Sequence, residues 1–538
     1  MSTTKPLRKD YDAVVVGAGF SGLYMLHLLR GMGLSVRVIE AGSNVGGTWF
    51  WNCYPGARCD VESMSYCYTF DPQLQQEWQW TERFPSQPEI LRYLNHVADR
   101  LDLRRDLQFE TRVTAASFDE ASGRWQLSTD RGESLSARYC IMATGCLSTA
   151  RVPEFKGRDS FKGRSFHTGQ WPKQPIDFTG RVVGVIGTGS TGIQVIPTVA
   201  KQAKHVYVFQ RTPNFSIPAH NRPLQRNEIE ARKKIYPEHS RKARESLFGV
   251  PWDINMQSAL AVPAEERQQR YEAAWREGGA TPTLVAYVDL LASDAANETV
   301  AEFVRAKIRA IVKDPKTAEM LSPHDHPLGA KRICVDTDYY ATFNRPNVTL
   351  VDVRKAPIEE ITATGLRTSD ASYALDELIY ATGFDAMTGA LLAIDIRGRG
   401  GQRLRDKWAH GPRAYLGLQV AGFPNLFTVT GPGSPSVLSN VVVSIEQHVE
   451  WIAACIRYMR EHGRNLIEPQ QDAEDKWVAH VNEVANTTLF PKANSWYTGA
   501  NIPGKPRIFM PYVGGVGAYR QICDEVVKKG YEGFKLNA

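Results

Sequence analysis

The sequence is short of several features that would each mark a function class. Its eight cysteines include no C-x-x-C pair, and no cluster of His, Cys and Glu has metal-ligand spacing, which speaks against a zinc module. No apolar run is long and unbroken enough to span a membrane. The most apolar N-terminal stretch, AVVVGAGFSGLYMLHLL, is interrupted by glycines and has no cleavage site, so Lys5, Arg8 and Lys9 do not announce a secretory leader. Charge of either sign is in small excess only: 64 basic against 58 acidic residues give +6 over 538 residues, with both signs interspersed and no basic tail for nucleic acid. Reduced thiols and this mild balance fit a cytoplasmic protein with small-molecule partners, expected as a monomer or weak oligomer that engages neither nucleic acid nor membrane. Length provides for three to four domain-sized units.

What the chain does have is glycine in two informative places. In YDAVVVGAGFSGLYMLHLLRGMGLSVRVIEAG, an apolar strand from Ala13 to Val16 enters Gly17-x-Gly19-x-x-Gly22. A helix follows from Leu23 to about Arg30, then a strand from Val36 to Ile39 that ends in Glu40. Strand, glycine turn, helix, strand and acid make the complete pattern for a dinucleotide, with pyrophosphate at the helix N-terminus and the acid on a ribose. The second unit, RVVGVIGTGSTGIQVIPTVAKQAKHVYVFQRTPNF, repeats the plan with Val182 to Ile186, Gly187-x-Gly189-x-x-Gly192, a helix and Val206 to Gln210. Here the acid is replaced by Arg211 and Thr212, and an arginine suits a 2′-phosphate. The first site therefore reads as one for FAD or NAD and the second as one for NADP. Together they imply a flavoprotein reduced by NADPH.

The segments YCIMATGCL and ELIYATGFD, each an apolar strand ending in Ala-Thr-Gly, can return the chain between the two units. Residues 222–329 differ from their surroundings and are rich in Glu, Arg, Lys, Ala and Gln. Val300, Phe303, Val304, Ile308, Ile311 and Val312 fall on one helical face, which predicts a helical insertion. The expected fold is α/β, with two Rossmann-like domains. Residues 1–150 and 382–538 are assigned to the FAD domain, 151–221 and 330–381 to the NADP domain, and 222–329 to the insertion.

Between the two units lies FKGRSFHTGQWP. Its Phe161-x-Gly163-x-x-x-His167-x-x-x-Trp171-Pro172 resembles the fingerprint of type I Baeyer–Villiger monooxygenases. GGTWFWNCYPGARCD matches the same family at Trp49, Pro55, Gly56 and Asp60, and the likeness continues through GAKRICVDTDYYATFNRPNV, GPGSPSVLSN and NSWYTGANIPGK, nearest the phenylacetone and steroid branches.

The resemblance implies NADPH- and dioxygen-dependent conversion of ketones to esters or lactones through a flavin peroxide, with FAD and NADPH as cofactors. Arg332 matches the arginine that stabilises the peroxide and the tetrahedral adduct, and Asp60 the acid that orients it. The FAD residues it implies are Gly17, Gly19, Ser21, Gly22, Glu40, Gly47, Thr48, Trp49, Asp60, Tyr66, Val113 and Val441. Those for NADP are Arg58, Gly187, Thr188, Gly189, Ser190, Thr191, Gly192, Gln194, Arg211, Thr212, Lys331, Arg332 and Trp496. Ser436, Val437, Leu438 and Trp496 are expected at the substrate pocket. Phe161, Gly163, His167 and Trp171 are expected to act conformationally, in a linker between the domains, and not in proton transfer.

The match departs at Val437, Val441 and Cys146, where relatives carry Ala, Met and Gln, so the substrate range stays open. Two alternatives share the architecture. One is a flavin monooxygenase of sulfides or amines. The other is an NADPH-dependent disulfide reductase, for which Cys53 and Cys59 stand one residue too far apart.

Overall fold

The computed structural model describes residues 10–537, so Lys5, Arg8 and Lys9 lie outside the described residues. Two sheets organise the chain. The first has eight strands and is built around β1 (Asp10–Val16), which enters α1 (Phe20–Gly31) and then β2 (Val36–Ile39). β1 lies parallel between β2 and β3 (Ser134–Met142), with Val15 level with Val38 on one side and Ile141 on the other. Ala13, Val14 and Val15 are fully buried, as expected for a strand with covered faces.

The second sheet has five strands, all parallel. In chain order they are β4 (Arg164–His167), β5 (Val182–Ile186), β6 (His205–Gln210), β7 (Val348–Asp352) and β8 (Glu377–Tyr380), arranged β7-β6-β5-β8-β4. The helix Ser190–Ala200 follows β5. The expected strands and helices of both glycine-rich units are present, with α1 beginning three residues earlier than the pattern indicated. The fold is mixed α/β.

The two units share one detail that explains the repeated Ala-Thr-Gly. Gly17 (φ +107°) and Gly187 (φ +109°) each turn the chain out of the first strand. A side chain at either position would strike a carbonyl, that of Ala143 on Gly17 and that of Ala381 on Gly187. Each Ala-Thr-Gly thus closes over the first glycine of its own sheet. β3 and β8 are the neighbours of β1 and β5, and directly after each of them the chain passes to the other sheet, as expected from the sequence.

The segment expected as a linker is partly a strand. Residues 164–167 are the edge of the second sheet, with His167 level with Tyr380. Arg164 pairs with the buried Glu377, which holds the edge in place. Residues 222–329 are mainly helical, and Val300, Phe303, Val304 and Ile308 of the helix Asp294–Ile311 are buried.

Candidate functional site

The two glycine turns open on one continuous cavity of about 890 Å³. Its wall takes in Gly17, Gly19 and Glu40 from the first unit and Gly187, Gly189 and Arg211 from the second. Gly19 and Gly189 precede the first residues of the following helices, and neither helix has a side-chain cap. Their first N–H groups are left to whatever occupies the cavity, which is the arrangement that favours a phosphate. Gly22 and Gly192 do not line it. They seat each helix against the carbonyl of the first glycine.

Glu40 is buried at the end of β2 and its carboxylate accepts from the amides of Ala18 and Gly42, both at 2.7 Å. Burial pushes its carboxyl up, against the pull of those two amides. Ser21, Gly47, Thr48, Trp49, Tyr66, Val113 and Val441 also line the cavity on this side. Trp49 donates its indole N–H to the Tyr66 hydroxyl at 3.1 Å. Acid, uncapped helix and close glycines fit an adenine dinucleotide in this half.

In the other half, Thr188, Ser190, Thr191, Thr212 and Lys331 face the cavity. Among the described residues, neither Arg211 nor Lys331 forms an ion pair within 4.0 Å. Burial lowers the Lys331 pKa, Asp325 opposes that and Arg211 adds to it. Cations kept together without a direct acidic partner fit a phosphate ester. Arg58 and Gln194 line the cavity but are engaged within the protein. Arg58 pairs with Glu82, and the Gln194 amide binds Tyr54 and both backbone groups of Arg58.

Arg332 and Asp60 meet where the halves join. Arg332 Nε donates to one carboxylate oxygen at 2.8 Å and Nη2 to the other at 2.9 Å, the two-pronged geometry that a guanidinium and a carboxylate favour. Nη1 donates to the carbonyl of Val437 at 2.6 Å. The Arg332 carbonyl accepts from Asn214 at 3.2 Å. Burial works against the charge on Asp60, and Arg332 outweighs it, so the carboxyl titrates below its usual range. Burial likewise works against the charge on Arg332, and Asp60 more than restores it. Tyr497 packs at the same guanidinium, with its phenol pushed up to about 12 by burial despite that neighbour.

Val437 and Trp496 line the cavity, but Ser436 and Leu438 do not. Ser436 is fully buried, with its hydroxyl 3.0 Å from the Cys146 thiol. Leu438 packs in the apolar cluster of Val437, Tyr497 and Phe509. None of Phe161, Gly163, His167 and Trp171 reaches the cavity. The Phe161 ring covers Gly163, and Trp171 is buried against Phe166 and Phe178. His167 accepts the Gly169 amide on Nδ1 at 3.0 Å, so Nε2 carries the proton and donates to the Arg151 carbonyl at 3.2 Å. All eight cysteines are free, and Cys59 is a buried thiol with its pKa well raised by burial, the opposite of the lowered pKa of a reactive redox thiol.

Residues 11–222 match the flavin-binding monooxygenase-like family. A Baeyer–Villiger monooxygenase of Pseudooceanicola batsensis is 46% identical over 531 residues, 98% of this chain and 96% of its own. The chain belongs to the Baeyer–Villiger monooxygenases. A solved structure of oxidised steroid monooxygenase bound to NADP is 52% identical with a TM-score of 0.94, covering 98% of this chain and 99% of that one. A phenazine N-monooxygenase of Lysobacter antibioticus is 43% identical over 99% of this chain and 98% of its own. Membership of this family carries the flavin-binding, two-dinucleotide α/β architecture seen above. No helix among the described residues is long and apolar enough to cross a membrane.

Two features of the cavity escaped the sequence. Arg151 and Tyr54 both line it. Arg151 lies outside both glycine-rich units, and Tyr54 is indistinguishable in sequence from a core aromatic.

Proposed function

We propose that this chain inserts one atom of dioxygen beside the carbonyl of a ketone, giving an ester or lactone, with FAD in the first half of the cavity and NADPH in the second. The observation that carries it is the Arg332–Asp60 pair at the junction of two dinucleotide-type turns in a single cavity. When bound, FAD supplies hydride acceptance and dioxygen activation. The N–H groups of α1 and Glu40 hold it, and Arg211 with Lys331 holds the 2′-phosphate of the second cofactor. Oxygen insertion at a carbonyl builds negative charge on oxygen twice, before attack and in the adduct. Arg332 meets that charge with a guanidinium that stays protonated and is already oriented by Asp60, so little reorganisation is needed as the charge develops. A guanidinium has five N–H donors. Asp60, Val437 and Tyr497 leave at least one for the reacting oxygen. Trp496 and Val437 shape the wall against which the ketone rests. Mild charge balance and free thiols suit a cytoplasmic enzyme.

The phenazine relative favours a second reading, oxygen transfer to an aromatic nitrogen. One experiment separates the two. NADPH consumption is followed with aryl, cyclic and steroidal ketones and with aromatic N-heterocycles, and products are identified by mass spectrometry. Ester or lactone matched to NADPH consumed supports the first reading. N-oxide with no ester from any ketone overturns it.

A further inference from the structure

Arg151 lines the cavity from outside both glycine-rich units, as Arg58, Arg112, Lys331 and Arg332 also do. Its backbone is held on every polar side. The N–H donates to Gly383 at 2.9 Å, and the carbonyl accepts from both the Thr382 hydroxyl and Nε2 of His167. The carbonyl thus ties the fingerprint histidine to the Ala-Thr-Gly segment that closes over Gly187. Beyond this fixed peptide the side chain is half-buried in the cavity wall that also holds Arg211 and Lys331. We propose that Arg151 is a third cation for the 2′-phosphate of the nicotinamide cofactor, and that His167 positions it there.

The inference rests on the reading of the second unit as an NADPH site. Three observations carry it further. Among the described residues none of Arg151, Arg211 and Lys331 has an acidic partner within 4.0 Å. The acid facing Arg151, Asp385, is bound to Lys505 at 2.6 Å. Burial lowers the Arg151 pKa, and the neighbouring Arg211 lowers it further, so the two guanidinium groups oppose each other. Arg151 and Lys331 are half-buried and Arg211 is exposed, and none of the three has a direct acidic partner, so a phosphate monoester, with nearly two negative charges and three acceptor oxygens, offsets their mutual repulsion. His167 suits a positioning part. Burial lowers its pKa, with the carbonyls of Arg151 and Gly383 opposing, so the ring stays a neutral, single N–H donor while the Gly169 amide fixes its tautomer.

The test is ligand binding to oxidised, FAD-loaded protein by calorimetry, with NADP+, NAD+ and 2′,5′-ADP as titrants. Arg151→Ala is expected to weaken NADP+ and 2′,5′-ADP about tenfold, the scale of one charge-assisted hydrogen bond, and to change NAD+ by less than about twofold. The fall of NADP+ affinity with salt should also become shallower. Arg151→Lys should recover part of the loss, and Arg151→Gln serves if the alanine variant folds poorly. His167→Asn should weaken NADP+ in the same direction, and adding it to Arg151→Ala should cost nothing more. Unchanged NADP+ binding in Arg151→Ala overturns the proposal. Equal weakening of NADP+ and NAD+ also overturns it, because the contact would then be to a group both cofactors share. A full additive loss in the double variant overturns the positioning part. Arg211→Ala is the control. If it too leaves the preference for NADP+ over NAD+ intact, the assignment of the second unit fails and not merely this inference.

Discussion

The Tyr54 hydroxyl donates to Oε1 of Gln194 across 2.7 Å, joining the loop that carries Asp60 to the glycine-rich helix of the second sheet. Gln194 returns a hydrogen bond from Nε2 to the Arg58 carbonyl at 2.9 Å, so one side chain holds both ends of that loop. Between them Gly56 (φ +85°) lies against the Gln194 carbonyl and the Thr198 hydroxyl, where no side chain fits. The two cofactor halves are thus in direct contact four residues from Asp60.

Tyr54→Phe should cost about 1 kcal/mol of stability, the usual worth of one hydrogen bond, and Gln194→Leu more, because it also removes the bonds to the Arg58 backbone. Together they should cost less than the sum, since both remove the Tyr54–Gln194 bond. Flavin reduction by NADPH should slow while FAD content holds. Thermal unfolding and rapid-mixing absorbance check both. Gly56→Ala should be worse than either, because the backbone must leave its left-handed conformation or the helix must withdraw.

Arg211→Ala and Lys331→Ala should each raise the KM for NADPH by about tenfold, equivalent to roughly 1.4 kcal/mol, and leave NADH efficiency unaltered. Steady-state kinetics with both cofactors measures the ratio. A constant ratio would count against the second unit as the NADPH site.

Stability should fall with acid in a window that His448 sets. The ring is fully buried on the helix Val441–Glu461, Nδ1 accepts from the Thr430 amide at 3.0 Å, and Nε2 has no hydrogen-bond partner among the described residues. Burial, helped by Arg520, pushes its pKa from 6.5 down to about 3. Between those two values the unfolded chain binds the proton and the folded chain does not. Stability contributed by the neutral ring is therefore full above pH 6.5 and declines by at most about 1.4 kcal/mol per pH unit below it. His448→Gln should have a flatter dependence of the Tm on pH over that window, read by scanning calorimetry.

Much of this was legible before any coordinates. Both dinucleotide turns, Glu40, the buried face of Val300, Phe303, Val304 and Ile308, and the family resemblance rest on local spacing, which sequence preserves. The unread parts are contacts over long separations. Nothing near Arg151 predicts that its carbonyl meets His167 or that its side chain shares a wall with Arg211. Gln194 sits in a glycine-rich unit and so suggests a cofactor ligand, yet its amide is taken up by Tyr54 and Arg58. His167–Arg151 and Arg332–Val437 each use a backbone carbonyl, a partner that no residue type announces.

Val437→Ala should widen acceptance of bulky ketones without slowing flavin reduction. The Val437 side chain is in the cavity wall, while the group that Arg332 binds is its carbonyl, which alanine retains. Relative kcat/KM across a panel graded by size checks this, and an unchanged ranking would remove Val437 from the substrate wall.

The central claim is that Arg332, held by Asp60, stabilises the negative oxygen of the insertion step. It is tested most directly by measuring, in Arg332→Ala, how NADPH consumed divides between ester and hydrogen peroxide. The variant should bind FAD and be reduced by NADPH. It should form ester slower by at least about 3 kcal/mol in barrier, roughly a hundredfold or more, with the consumed NADPH appearing as hydrogen peroxide. Arg332→Lys should recover little, because an ammonium lacks the planar fork that Asp60 grips. Ester formation by Arg332→Ala at the unmodified rate and yield per NADPH would contradict the account.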